Sequence, residues 1–205
     1  MRRLVLLAVV GAGACGGVGA FGQATMFKEK PGPGGDAPLA VGARLRPTVS
    51  VDVAGSVMPI VALSSTREDV VAIEDGALVA KTPGMSSVLI ATADGTVIDF
   101  QHVWVAAPTA IVIEQERADD REELVGPLEL VAGDQVMLSA ALFGGAQRLT
   151  GEGALDWTVE GDGAIALLRD GATGRRRLVA RKPGAAQVTV ATLGLHTRFD
   201  VEVVP

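Results

Sequence analysis

The heptapeptide LVAKTPG at 78–84 returns almost unchanged as LVARKPG at 178–184, and the likeness extends on both sides. With one residue deleted from the second copy, LVAKTPGMSSVLIATADGTVIDF aligns with LVARKPGAAQVTVATLGLHTRF. Leu78, Val79, Ala80, Pro83, Gly84, Val88, Ala91, Thr92, Gly95 and Phe100 then meet identical residues at Leu178, Val179, Ala180, Pro183, Gly184, Val188, Ala191, Thr192, Gly194 and Phe199. Upstream, LAVGARLRPTVSV from Leu39 is similar to LVAGDQVMLSAAL from Leu130, and VVAIEDG from Val70 parallels AIALLRDG from Ala164. The repeated unit is therefore about 70 to 95 residues, the size of a domain, because solenoid repeats run at roughly 20 to 50 residues and bury a core only by stacking. A chain built this way folds as two similar bodies.

Each copy reads as short strands separated by turn signals, with no helical period. In RFDVEVV at 198–204, Phe199, Val201 and Val203 share one face while Asp200 and Glu202 share the other, the pattern of a strand with one buried and one wet side. Val188 and Val190 alternate in the same way in VTVAT. The TLG and ADG stretches at 192–194 and 93–95 supply the glycine that a tight hairpin needs for positive φ, and the repeated PG at 83–84 and 183–184 forms the preceding turn. The expected fold is all-β: two tandem antiparallel sandwiches, at 39–107 and 108–205, behind an N-terminal leader at 1–15 and a tether at 16–38.

Both copies resemble the bacterial immunoglobulin-like group 2 domain, through VAIEDGALVAKTPGMSSVLIATADG in the first and LVARKPGAAQVTVATLG with LELVAGDQVMLSAAL in the second. The resemblance implies small sandwiches of secreted and surface proteins, used for adhesion, carbohydrate binding or structural spacing. Two departures carry structural expectations. Pro47 and Pro59 lie inside apolar runs of the first copy and predict edge strands or breaks there. EGDGAIALLRDGATGRRR in the second is longer than its counterpart and predicts an enlarged loop.

The N-terminus MRRLVLLAVVGAGACGG has the charged start, short apolar run and small residues of a secretory signal peptide, and the run from Leu4 to Val10 is far short of the roughly 20 residues of a membrane span. AGAC at 12–15 resembles the bacterial lipobox, although Ala12 stands where leucine is usual; the resemblance implies lipidation of Cys15 and a membrane anchor. The alternative is removal of Cys15 by cleavage after Ala20 or Ala24. Gly11, Gly13 and Gly16 spell G-x-G-x-x-G, but the following glycine- and proline-rich stretch supplies no helix to carry a pyrophosphate. If flexible, residues 16–38 would reach roughly 25 to 30 Å.

Composition narrows the function. A net charge of −6 argues against a nucleic-acid partner, since phosphate binding needs a basic face. With Cys15 as the only cysteine no intrachain disulfide forms, so any sandwich holds by packing alone. Catalytic residues, metal ligands and cofactors are expected to be absent: His102 and His196 are the only histidines and no HExxH or G-x-S-x-G motif occurs. Trp157 aligns with Leu63 and is expected in the core. Phe100, His102 and Trp104 align with the inward Phe199, Val201 and Val203, yet Val103 and Val105 compete for that face; a bulge or a place for His102 at the domain junction would reconcile them. The acidic EQERADDREEL at 114–124 reads as a solvated hairpin arm, with a calcium site at Asp119, Asp120 and Glu122 as the sharper alternative. RRRLVARK at 175–182 reads as a basic edge strand, with Arg175, Arg177, Val179 and Arg181 on one face and Arg176, Leu178, Ala180 and Lys182 on the other. The expected role is a non-enzymatic surface module of the cell envelope, an outer-membrane lipoprotein or extracellular protein with a protein or polysaccharide ligand. An accessory subunit of a larger envelope complex and an unanchored secreted or periplasmic binding protein are the alternatives.

Overall fold

The computed structural model describes residues 22–25, 37–53, 60–117, 120–171 and 174–205; Cys15, the leader, most of the tether, Pro59 and Asp119 lie outside them. The described residues contain strands and turns and no helix. The first copy comprises β1 (Gly22–Thr25), β2 (Leu39–Ala40), β3 (Arg44–Leu45), β4 (Ser50–Val53), β5 (Val61–Ser65), β6 (Val71–Glu74), β7 (Ala77–Ala80), β8 (Gly84–Thr92) and β9 (Val97–Ala106). The second comprises β10 (Ala110–Arg117), β11 (Asp120–Glu123), β12 (Leu128–Val131), β13 (Gln135–Gly144), β14 (Gln147–Arg148), β15 (Asp156–Gly161), β16 (Ile165–Arg169), β17 (Arg175–Ala180), β18 (Gly184–Thr192) and β19 (Leu195–Val204).

In the second copy one sheet runs β11-β10-β13-β17-β16, with β14 on β13, and the other β12-β19-β18-β15. Setting aside the short β11, β12 and β14, this is the four-plus-three strand order of an immunoglobulin constant-type sandwich. The first copy repeats it as β2-β9-β8-β5 and β3-β7-β6, with β1-β4 as a separate pair. Pairing is antiparallel except at β2–β9 and β12–β19, where the chain crosses from one sheet to the other and joins the last strand in parallel. Side-chain alternation sets the two cores as expected: Phe199, Val201 and Val203 face in beneath Val188 and Val190, while Leu78, Val88 and Ile90 fill the first core. Pro47 falls in the gap between β3 and β4, where the second copy has the unbroken β13. The enlarged loop lies between β16 and β17, whose last pair is Arg169↔Arg176; β6 and β7 close as tightly as Glu74↔Ala77. One expectation fails. β17 is paired on both sides, by β13 and β16, so it is an interior strand and its basic residues do not guard an edge.

β3 pairs β7 at Arg44↔Val79 as β13 pairs β17 at Gln135↔Val179, so β4 stands where the far half of β13 does. β1 then pairs β4 (Gly22↔Val53 to Thr25↔Ser50) in the place that β10 takes on β13. A chain starting at residue 27 is therefore expected to unfold its first sandwich at lower urea than one starting at residue 18. Each lost ladder hydrogen bond contributes roughly 0.5–1.5 kcal/mol. Equal midpoints for the two chains would remove β1 from the sandwich.

The junction between the copies is built from backbone. Ala40 N–H donates to Thr150 O (3.0 Å) and Thr150 N–H to Pro38 O (2.8 Å), while Arg44 and Glu152 exchange both bonds at 2.9 and 2.7 Å. Ala40 and Ala43 are fully buried against the core of the second sandwich. Leu193, a non-glycine residue at φ 49, lays its side chain on Gly42, whose missing Cβ would stand 2.9 Å from it. The three residues 107–109 between β9 and β10 thus join bodies that already touch.

Candidate binding face

The site comes from a slip of register between the copies. In the second, β18 and β19 close with Thr192 opposite Leu195 around Leu193 and Gly194, both at positive φ. In the first, Thr92 N–H donates to Thr96 O around Ala93, Asp94 and Gly95, one residue more. A β-bulge then adds another: Ile90 pairs Asp99 and Ala91 pairs Val97, leaving Ile98 unpaired. The first copy thus holds two extra residues where the sequence alignment supplies one, and every side chain beyond Ile98 takes the opposite face.

Val88 consequently lies opposite Gln101, where Val188 lies opposite Phe199. Gln101, Val103 and Val105 occupy the positions of Phe199, Val201 and Val203. Val103 and Val105 are 6% and 5% exposed, whereas Phe100 is 41% and Trp104 54% exposed, with His102 exposed between them. The inward match expected for Phe100, His102 and Trp104 is therefore corrected: the valines fill the space between the sheets and the three rings face solvent. The bulge that the competing valines suggested is present, and His102 is held within its own sheet, where Nδ1 and Ser87 Oγ share a 2.9 Å hydrogen bond.

Across the outer face of β8 and β9 the facing pairs are Met85 with Trp104, Ser87 with His102 and Leu89 with Phe100. The Phe100 and His102 rings meet edge to face, 5.4 Å apart at 65°. The second copy has Ala185 with Glu202, Gln187 with Asp200 and Thr189 with Arg198, and Gln187 donates to Asp200 at 2.8 Å. The fold therefore accepts a polar outer face here. Single exposed apolar residues are ordinary, but here Met85, Phe100 and Trp104 are exposed together on one face. At the hairpin tip the Thr92 hydroxyl donates to Asp94, which with the Thr96 N–H holds that exposed carboxyl below its usual range.

The other candidates are engaged in structure. Trp157 lies opposite Val190 as Leu63 lies opposite Ile90, and packs half-buried against the core. The guanidinium of Arg176, on the inner face of β17 with Leu178 and Ala180, sits 5.6 Å from the Trp157 ring centroid. Burial and then neighbouring Arg169 lower the pKa of Arg176. The acidic stretch forms the β10–β11 hairpin. Glu114 receives Arg148 (Nη2 at 3.0 Å) and the Ser139 hydroxyl, and Glu116 receives Arg175 at 2.5 Å and Arg121 at 3.4 Å. Arg177 pairs with Asp170. His196 is exposed near Asp156 on the rim of a shallow junction cleft, in the other sandwich from His102. Among the described residues no group of three His, Cys, Asp or Glu is placed to hold a metal.

No protein family matches the sequence, and no curated protein does. Solved structures overlap it loosely. FdeC, an Escherichia coli adhesin, is 13% identical with a TM-score of 0.35, over 90% of this chain and 63% of that one. Invasin, a bacterial integrin-binding protein, is 14% identical with a TM-score of 0.34, over 89% and 40%. Domains 5–6 of the S-layer protein SbsC are 14% identical with a TM-score of 0.33, over 82% and 92%. This chain spans less than two thirds of the FdeC and invasin structures. At such TM-scores the likeness carries no functional argument; the immunoglobulin-like class stands on the strand order.

Proposed function

We propose that this chain is an exported, non-enzymatic module of the bacterial cell envelope, a tandem pair of bacterial immunoglobulin-like group 2 domains anchored through lipid on Cys15. Its binding surface is the outer face of the first sandwich. The contrast between two copies of one fold carries this reading: the aromatic cluster at Phe100, His102 and Trp104 replaces the ionic Arg198, Asp200 and Glu202, and folding requires no such replacement. Glu114 and Glu116 of β10 pair with Arg148 of β14 and Arg175 of β17, which suits a scaffold better than a reacting centre.

The anchor is tested by the intact mass of the mature protein from host membranes, beside Cys15→Ala. The expected protein starts at Cys15 with a diacylglyceryl-sized addition, and the variant leaves the membrane fraction. A soluble protein starting after Ala20 or Ala24 would replace the lipoprotein with a secreted or periplasmic binding protein.

A further inference from the structure

We infer that the aromatic face of the first sandwich binds the ring faces of an uncharged polysaccharide, an inference that rests on reading this face as the binding surface. An indole and a phenyl ring carry negative charge on their faces, which attracts the polarised C–H groups on the flat side of a sugar. Trp104 and Phe100 present such rings from alternate positions of one strand, separated by four residues or about 13 Å. Ser87 and His102, hydrogen-bonded to each other, lie between them and bring polar groups within reach of sugar hydroxyls. Stacking surfaces with hydrogen-bonding groups between them suit a ligand whose faces are apolar and whose rim is polar.

Charge selects the neutral member of that class. The six facing residues Met85, Ser87, Leu89, Phe100, His102 and Trp104 include no carboxylate, lysine or arginine, on a chain of net charge −6. A uronate or sulfated polymer would lie here with its anions uncompensated by any of these six side chains. Size separates a glycan from a protein. Two adjacent strands stand about 5 Å apart, so the strip is long and narrow, far below the roughly 800 Å² per partner of a stable protein interface. β2 pairs β9 only at Val105 and Ala106, but a peptide strand added along that edge would lie beside the rings rather than over them, because Phe100 and Trp104 stand on the face of the sheet. The strand also fixes the platform before binding, which lowers the ordering cost.

The full chain is titrated with neutral cello-, xylo-, malto- and chito-oligosaccharides and, separately, with polygalacturonate. Trp157→Phe leaves Trp104 as the sole indole reporter, and calorimetry follows Trp104→Ala and Phe100→Ala. We expect saturable binding of at least one neutral series, weakened about tenfold or more in either alanine variant, with polygalacturonate weaker than the neutral ligand. Both alanine variants replace exposed side chains, and unchanged urea midpoints establish that they fold. Absence of neutral binding, combined with self-association in ultracentrifugation that Trp104→Ala abolishes, would overturn the glycan and leave the face as a protein-binding surface. Tighter binding of polygalacturonate would overturn neutrality. If the wild type and a Phe100→Ser, Trp104→Ser variant behave alike in every titration, in self-association and in adhesion to host cell envelopes, both the glycan and the binding face are wrong.

Discussion

Gly151→Val is expected to separate the two sandwiches and raise the radius of gyration of the chain in solution scattering. Gly151 has φ +96, a conformation that costs an L-residue about 1–2 kcal/mol, and a Cβ there would stand 2.8 Å from the Ala43 Cβ and 3.2 Å from Leu39 Cδ2. Ala43 is fully buried and cannot give way without moving the chain that bridges to Thr150 and Glu152. Gly126 supplies the control: its φ is +84, but a Cβ there meets nothing within 4 Å. Gly126→Val therefore carries the same backbone strain without the collision. If both variants scatter like the parent, Gly151 does not hold the junction.

The plan of two sandwiches is legible in the sequence because turn and core residues recur at fixed intervals. Pro-Gly before β8 and again before β18, a glycine at each following hairpin and alternating valines specify strand ends and faces without reference to tertiary contacts. The same alternation places Arg176 with Leu178 and Ala180 on the inner face of β17. It does not show that β17 is interior, because strand order depends on what each strand packs beside rather than on its own pattern. The junction is equally hidden: Leu193 at positive φ reads as a turn residue, and only the approach of Gly42 shows why a leucine is useful there.

The aromatic face is half legible. The sequence shows two apolar series interleaved on β9, Phe100–His102–Trp104 and Gln101–Val103–Val105, and only one can face the core. Identity of Phe100 with Phe199 favours the wrong series, because identity anchors an alignment while the bulge at Ile98 moves the backbone beneath it. Volume was the better signal. Two valines match the space that Val201 and Val203 fill in the second copy, whereas a tryptophan in one of those places would overpack the first core, which is made of aliphatic side chains.

Arg148→Ala is expected to destabilise the second sandwich by about 3 kcal/mol, and Glu114→Ala by roughly 1 kcal/mol, although the two residues form one ion pair. The difference follows from burial. The Glu114 side chain is 9% exposed and that of Arg148 43%, so the pair joins a buried carboxylate to a guanidinium already half in water. Removing the glutamate lets the arginine turn outward and complete its hydration. Removing the arginine leaves a buried carboxylate with the Ser139 hydroxyl, 3.4 Å away, as a weak substitute. The double variant is then expected to be more stable than Arg148→Ala alone, because deleting the carboxylate removes the group that suffers. Urea unfolding of the four proteins in a double-mutant cycle measures this directly. Equal losses in the two single variants, or a double variant no more stable than Arg148→Ala, would show that the ion pair contributes by contact rather than by shielding a buried charge.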